Sequence, residues 1–413
     1  MPFIFTLPSF YSLISFTLAF LLYQAKLITY NNDSPTSSII FIAYIFFSLV
    51  ATLSELVKLS DKKKKNKILQ SYYTSKKILI TNSNDFRVYN QINVVIFFHV
   101  IGIIGICLYI SDYSQKMGGL ENFLYSLQNS SYEIRWAAED ASSIGTQLSY
   151  FGWIAIASST KMLIDAKKGY NYILIILFSL QIVGNFLFID RTRPMWLLIT
   201  ASLCYAYQSN LSKKKFALGI IFIPISCILL FVIVGSWIGK VSENNTYNSS
   251  LPAELENAYF YITSGFAYFN EIIQHPEQVD YSLTRTFAPL LKFLAIFGLS
   301  NQPPSEVIEF INIPYPTNVG TFLEPFFRDG GMIYVIIGLV VNSFLINQIA
   351  IFLLARKTIF ALFAWSNLCY ASMICFFTPK LFSFPVWLFI ILGLFVPASN
   401  EVFMKNKNKI VQK

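Results

Sequence analysis

The side chains with the clearest capacity for chemistry are arginines that lie between long apolar segments. Arg191 and Arg193 stand just before Pro194, while Arg285 and Arg328 lie in a long stretch rich in polar and aromatic residues. A guanidinium group binds phosphate or carboxylate through two parallel hydrogen bonds. A helix that begins at Pro194 would add free N–H groups and the positive end of its dipole to the same turn. These residues indicate an anion-binding site, with extension toward lipid headgroups as the alternative.

Three side chains of that long stretch could take a proton from a hydroxyl group: His275, Glu324 and Asp329. Their positions in the sequence do not rank them. His99 lies deep in an apolar segment, so we interpret it as a packed interior residue. All five cysteines also lie in apolar segments, and the chain has no Asp-x-Asp pair. We therefore predict no metal site, no cofactor and no disulfide framework.

The composition is that of a membrane protein. Of 413 residues, 55% are hydrophobic and only 13% are charged, whereas soluble domains contain about 25% charged residues. We predict an all-α polytopic membrane protein, with one integral membrane domain over residues 1–413 and a first helix that is retained. The net charge of +9 does not indicate a nucleic-acid partner, because the basic residues fall at the ends of the predicted helices.

We predict about ten transmembrane helices. The fourth contains Gln147 and Ser149 and is expected to pack inside the bundle rather than against lipid. Residues 239–330 form one large loop between the seventh and the eighth. The predicted spans are roughly 3–23, 38–57, 91–111, 146–164, 170–189, 194–210, 216–238, 331–355, 359–378 and 381–397.

The lysine-rich segment 62–67 sets the predicted orientation. Basic loops stay in the cytoplasm, which places both termini inside and the large loop outside. Most lysines then fall inside, but five of the seven arginines fall outside. The orientation rule does not distinguish arginine from lysine, so the split favours a functional site, with chance as the alternative. These outer arginines are Arg135, Arg191, Arg193, Arg285 and Arg328. For Arg135, an interfacial helix anchored by Trp136 is an equally good explanation.

Two segments of the large loop are predicted to be helical. Apolar residues recur every three or four positions from Leu255 to Ile273, with Pro252 placed to begin the helix and Pro276 to end it. Packing of this stripe onto the bundle or along the membrane surface is its simplest role. The apolar segment 284–298 is too short for a comfortable span, which favours an interfacial or re-entrant helix.

The segment Asn318-Val-Gly-Thr-Phe-Leu-Glu-Pro-Phe-Phe-Arg-Asp-Gly-Gly resembles a signature of the bacterial oligosaccharide repeat-unit polymerases, also called O-antigen polymerases. The segments Tyr261-Ile-Thr-Ser-Gly-Phe-Ala-Tyr-Phe and Asp190-Arg-Thr-Arg resemble two further stretches of that family. Arg135 resembles the arginine of its first outer loop. The resemblance covers residues 185–335 and is architectural elsewhere.

The resemblance implies a metal-independent, GT-C-like glycosyltransferase. A growing glycan would be transferred from undecaprenyl diphosphate to a hydroxyl of an incoming lipid-linked repeat unit, on the periplasmic face of the bacterial inner membrane. Arginines would stabilise the negative charge on the leaving diphosphate. Its partners would be lipid-linked glycans, membrane lipid and, as an optional partner, a chain-length regulator protein. The implied substrate-binding residues are Arg135, Arg191, Arg193, Arg285, Asn318, Thr321 and Arg328.

Two other functions remain open. An O-antigen ligase has a similar outer loop and outer arginines but transfers its glycan to lipid A-core. A polysaccharide flippase or other transporter would show internal repeats and charges near the membrane midplane. The predicted spans are nearly charge-free and we find no internal repeat, so the transporter reading is the weaker of the two. A purely structural scaffold has no feature in its favour.

Overall fold

The computed structural model describes residues 3–30, 34–73, 92–129, 144–164, 171–188, 192–209, 251–304, 309–313, 315–356 and 358–395. These residues are mostly helical. The predictions made for Arg135, for Arg191 and for the seventh span lie outside the described residues.

Two groups of helices follow one another along the chain. In the first, α1 spans Pro8–Gln24, α2 Pro35–Tyr73, α3 Ile92–Lys116, α4 Leu120–Asn129, α5 Ile144–Ile164, α6 Asn171–Phe186 and α7 Thr192–Gln208. In the second, α8 spans Ala253–Ile272, α9 Ala288–Ile296, α10 Leu323–Val340, α11 Ile346–Arg356, α12 Ile359–Met373 and α13 Phe384–Phe395. A π-helical turn, Val341–Leu345, joins α10 to α11. Strands β1 (Ile311–Asn312) and β2 (Pro316–Thr317) form a small antiparallel hairpin before α10.

Three described helical segments are long and apolar enough to cross a membrane: Pro35–Asp61, Val95–Lys116 and Leu323–Arg356. Shorter apolar helices accompany them, at Tyr172–Phe186, Ile359–Met373 and Phe384–Phe395. The lengths and composition of these helices support a helical membrane protein. They do not confirm ten spans, because the shorter helices fall below the roughly 20 residues that cross a bilayer.

Helix α12 lies at the centre of the bundle, and its side chains are buried without interruption from Ala361 to Ser372. Helices α1, α5, α7, α11 and α13 all pack against it. On one side the Trp365 indole donates a hydrogen bond to the Thr6 carbonyl at 2.9 Å. On another the Trp196 ring of α7 stacks on Tyr370, with centroids 5.1 Å apart. A helix that is buried on every side needs no face toward water, and its few polar side chains, such as Asn367, bond within the protein.

Helices α3 and α5 contact each other through their backbones. A Cβ placed on Gly102 would lie 2.5 Å from the Gly152 Cα, and one on Gly105 would lie 2.4 Å from the Ser149 amide nitrogen. Small residues permit this close approach between membrane helices. Ile154 and the adjoining residues of α5 are buried, which confirms the prediction that this segment packs inside the bundle.

The substitution Gly102→Leu is expected to lower the thermal unfolding midpoint of the purified protein in detergent. The new side chain would need space that Gly152 and Gln181 now occupy, and overpacking of this kind costs about 1–3 kcal/mol. Ile104→Ala is the control, because Ile104 lies on the same helix and is 47% exposed. A Gly102→Leu protein that unfolds at the wild-type temperature would contradict the contact.

The first predicted helix of the large loop is confirmed, since α8 begins after Pro252 and ends before Pro276. The middle of its apolar stripe is buried, with Phe266 and Phe269 at 0% exposed, whereas Leu255 at its start is 53% exposed. Its polar side is also enclosed: Asn270 is 1% exposed and donates to the Tyr23 hydroxyl at 2.6 Å. Helix α8 is therefore an interior element of the bundle rather than a helix that lies along its surface.

Helix α9 differs from α8 because it exposes its apolar side chains. It has nine residues and packs against α13. A helix of this length cannot cross a bilayer, so an exposed apolar surface on it supports the prediction of an interfacial or re-entrant segment. The exposed side chains on α9 and its flanks are Phe287, Leu290, Phe293, Phe297 and Leu299.

Candidate active site

The candidate site is built around the short helical segment 323–329, which is the first part of α10. Gly330 and Gly331 leave helical geometry after it, and Gly331 has a φ of 63°, which favours glycine. Before it, Thr321 Oγ1 accepts a hydrogen bond from the Leu323 N–H at 3.3 Å. The segment is buried along its whole length, so its charged side chains must be stabilised by other groups of the protein.

Glu324 and Arg328 form a buried ion pair on successive turns of this segment. Arg328 Nε lies 2.6 Å from Glu324 Oε1, and the side chains are 6% and 2% exposed. Their i, i+4 spacing places both on one face of the helix. Both of these atoms are buried. The two groups therefore form an ion pair inside the protein, and a contact of Glu324 with a ligand would involve its other carboxylate oxygen, Oε2.

Helix α8 and the segment before β1 hold the other side of Arg328. Its Nη2 donates to the Tyr268 hydroxyl at 3.0 Å, and that hydroxyl donates to the Glu309 carbonyl at 3.1 Å. The Glu309 carboxylate lies 3.8 Å from Arg328 Nη1. Burial raises the pKa of Tyr268 to about 12, so the hydroxyl keeps its proton. These contacts fix the guanidinium in one orientation behind Glu324.

Asp329 stabilises a loop through its side chain. Its Oδ1 accepts from the Arg285 N–H at 3.1 Å, and its Oδ2 accepts from the Thr286 N–H at 2.6 Å. The same loop contains Tyr281 and Leu283 with φ angles of 52° and 57°, which are costly for residues other than glycine. Asp329, itself fully buried, thus maintains the loop conformation that carries Arg285.

Arg285, Glu324 and Lys380 line one small open cleft between the Arg285 loop, the segment 323–329 and the turn before α13. Asp280 is 49% exposed and lies 3.8 Å from Arg285 Nε, so it neutralises Arg285 only weakly. The Glu324 charge is already met by Arg328. The cleft is therefore positively charged, and it suits an anion that also carries a hydroxyl donor. Thr378, Phe382 and Ser383 contribute to its lining.

Reasoning from the sequence missed Lys380. This lysine follows Pro379 in a short connection between two apolar segments and belongs to no motif. The sequence feature that could have indicated it is its position between the last two predicted spans, on the same side of the membrane as the large loop. The structure brings it beside Arg285 and Glu324 because α13 packs against α9, close to the Arg285 loop.

Arg193 lies in an aromatic cage away from the cleft lining. Its Nη2 donates to Ser149 Oγ at 2.6 Å. Its guanidinium carbon lies 3.9 Å from the ring centroid of Phe188, 4.6 Å from that of Tyr150 and 5.3 Å from that of Trp153. The side chain is 4% exposed. Aromatic ring faces stabilise a buried cation, which explains how this arginine is accommodated within the bundle.

The predicted convergence of Arg193 with Arg285 and Arg328 is therefore not observed, because side chains of α5 and of the turn after α6 enclose Arg193. The start of α7 is nevertheless connected to the cleft through residues other than Arg193. Trp196 lies one turn beyond Arg193 on α7, and its ring centroid is 5.7 Å from Lys380 Nζ. The start of α7 thus contacts Lys380, which lines the cleft.

The remaining predicted residues lie apart from the cleft lining. His275 is 44% exposed and contacts Glu277 at 2.8 Å and Glu271 at 3.4 Å. Its hydrogen bond to Glu277 raises the pKa of His275, so at a given pH less of the imidazole is in the neutral form that accepts a proton. Asn318 is partly exposed after the hairpin, and Thr321 is engaged at the start of α10.

The geometry defines a helical membrane protein with a cationic cleft at the start of a long apolar segment. Among the described residues, no three or more His, Cys, Asp or Glu side chains are grouped as a metal site would require. Comparison of the chain with protein-family models, with curated proteins and with solved structures found no match.

Proposed function

We propose that the protein polymerises oligosaccharide repeat units that are linked to undecaprenyl diphosphate. The observation that carries this proposal is the cleft in which Arg285 lies beside the carboxylate of Glu324, at the start of the apolar segment Leu323–Arg356. A lipid-diphosphate donor needs a cation near the membrane boundary, and a sugar acceptor needs a base for its hydroxyl. The resemblance of segment 318–331 to repeat-unit polymerases supports the same function.

In the proposed reaction, an acceptor hydroxyl oxygen attacks the anomeric carbon of the growing glycan. The bond between that carbon and the diphosphate oxygen breaks, and undecaprenyl diphosphate leaves with the bonding electrons. Arg285 stabilises the charge that develops on the diphosphate. The hydroxyl proton passes to a carboxylate.

Glu324 is our choice for that carboxylate. It lines the cleft, and one of its carboxylate oxygens faces Arg328. Both oxygens of Asp329 already accept backbone hydrogen bonds, and His275 is engaged with two glutamates. Arg328 stabilises the ionised form of Glu324 before the proton is transferred.

The proposed setting is the bacterial inner membrane, with both termini in the cytoplasm and the cleft on the periplasmic face. The exposed apolar side chains of α9 would lie at the membrane boundary and place the cleft at the depth of lipid headgroups. Lipid-linked glycans and membrane lipid are the proposed partners, with a chain-length regulator protein as an optional one.

The purified protein, incubated with repeat units on undecaprenyl diphosphate, is expected to give a ladder of longer glycans on a gel. Arg285→Lys should slow elongation roughly tenfold or more, since a charge-assisted hydrogen bond contributes about 1.5–3 kcal/mol. Arg356→Lys is the matched control, because Arg356 lies at the opposite end of the segment Leu323–Arg356.

The same protein, tested also with lipid A-core as acceptor and in vesicles that contain the lipid-linked unit, separates the alternatives. Normal elongation by Arg285→Lys would contradict the role of the guanidinium fork. Transfer to lipid A-core without elongation would identify a ligase. Movement of the lipid-linked unit across a vesicle membrane, without any new glycosidic bond, would identify a flippase.

A further inference from the structure

Lys380 is held by its backbone in a rigid turn. The turn Lys380–Phe382 follows Pro379 and ends where α13 begins. The Phe382 N–H donates to the Pro379 carbonyl at 2.9 Å, and Ser383 Oγ donates to the Lys380 carbonyl at 2.8 Å. The position of the Lys380 Cα relative to the cleft is thus fixed by the fold.

Its side chain is placed by an aromatic ring. The Lys380 ammonium lies 5.7 Å from the Trp196 ring centroid, within the range in which a cation is attracted to an indole face. That indole is itself fixed, because Trp196 is 2% exposed and its Nε1 donates to Asn367 Oδ1 at 2.6 Å. Within the described residues Lys380 forms no ion pair, so its charge is available to a ligand.

Two positive side chains therefore line the cleft, Lys380 from the turn before α13 and Arg285 from the loop before α9. Glu324 is already paired with Arg328, so its charge does not neutralise these two cations. A ligand with a single carboxylate would then neutralise only one of them. A diphosphate carries charge on both of its phosphates. The two cations match that distribution better than they match a single anionic group.

We propose that Lys380 is a phosphate-binding residue of this cleft, which acts with Arg285 on the diphosphate of the substrate. This proposal rests on the proposed function and adds a residue that no motif indicated. Trp196 is the positioning residue for the lysine, and through it the start of α7 contributes to the site although Arg193 does not reach the cleft.

The test measures binding of inorganic pyrophosphate to the full-length protein in lipid nanodiscs, by calorimetry at constant ionic strength. Lys380→Gln is expected to weaken binding roughly tenfold, as is Arg285→Gln. Lys380→Arg should stay within about threefold of the wild type, since a guanidinium keeps the charge and is also attracted to the indole face. Lys116→Gln is the matched control, because Lys116 also lies over an aromatic ring, 5.3 Å from the Tyr113 centroid.

Size-exclusion profiles establish that each variant is folded. Wild-type affinity in Lys380→Gln would overturn the proposal, as would an equal loss in Lys116→Gln or the absence of pyrophosphate binding to the wild type. A failure of the proposed function alone would give another result. The variants would bind pyrophosphate as expected, but the wild-type protein would not elongate lipid-linked glycans.

Discussion

Arg328→Ala is expected to destabilise the protein by about 3–5 kcal/mol and to abolish glycan transfer. The substitution leaves Glu324, 2% exposed, as a buried carboxylate without its counter-ion, and breaking one side of a buried pair has a cost of this size. Tyr268 also loses the guanidinium to which its hydroxyl is bonded. The thermal unfolding midpoint in detergent measures the first effect, and the glycan ladder measures the second.

The double variant Glu324→Met/Arg328→Met separates stability from function. Replacing both members of a buried ion pair by apolar residues is often neutral or stabilising, so the double variant should recover most of the lost stability. It should remain inactive, because the proposed base is gone. A single Arg328→Ala protein with the wild-type midpoint would show that the two charges are not buried together.

Asp329→Ala is expected to release the loop that carries Arg285. The Arg285 and Thr286 amides would lose their acceptors, at about 1–3 kcal/mol for each unmet group. The strained φ angles at Tyr281 and Leu283 would then relax. Hydrogen exchange of the full-length protein, followed by mass spectrometry, should be roughly tenfold faster at the Arg285 and Thr286 amides. The rate of glycan transfer should also fall.

Asp280→Asn is the control for this prediction, because Asp280 belongs to the same loop but is 49% exposed and lies 3.8 Å from Arg285. In the Asp280→Asn protein, the hydrogen-exchange rates of the Arg285 and Thr286 amides should stay close to those of the wild type. If Asp329→Ala abolishes transfer while exchange stays at the wild-type rate, Asp329 acts on the substrate. The hypothesis that it is the general base would then replace the positioning role.

Local features of the sequence predicted the elements well. The stripe from Leu255 to Ile273 and its flanking prolines gave the bounds of α8, and the polar side chains near Ser149 indicated an interior helix. Both signals depend on residues close together in the chain. The burial of Asn270 was not predictable in this way, since it requires Tyr23 from α1 as its partner.

The site was predictable in its residue types and not in its geometry. Arg285 and Glu324 were both candidates, and they do share a cleft. The link from Asp329 to the Arg285 amide joins residues 44 positions apart, and Lys380 comes from yet another connection. Arg193 shows the opposite case. Its charge and position suggested the same site, but aromatic rings of α5 and of the turn after α6 enclose it.

The interruption at Gly330 and Gly331 has a consequence for how the protein tolerates different membranes. A long apolar helix tilts when the bilayer is thinner than its hydrophobic length, and a continuous helix would carry that tilt into Glu324 and Arg328. Here the helical geometry stops between them and the remainder of Leu323–Arg356. We therefore expect the span to change its inclination with bilayer thickness while the ion pair keeps its angle to the bundle.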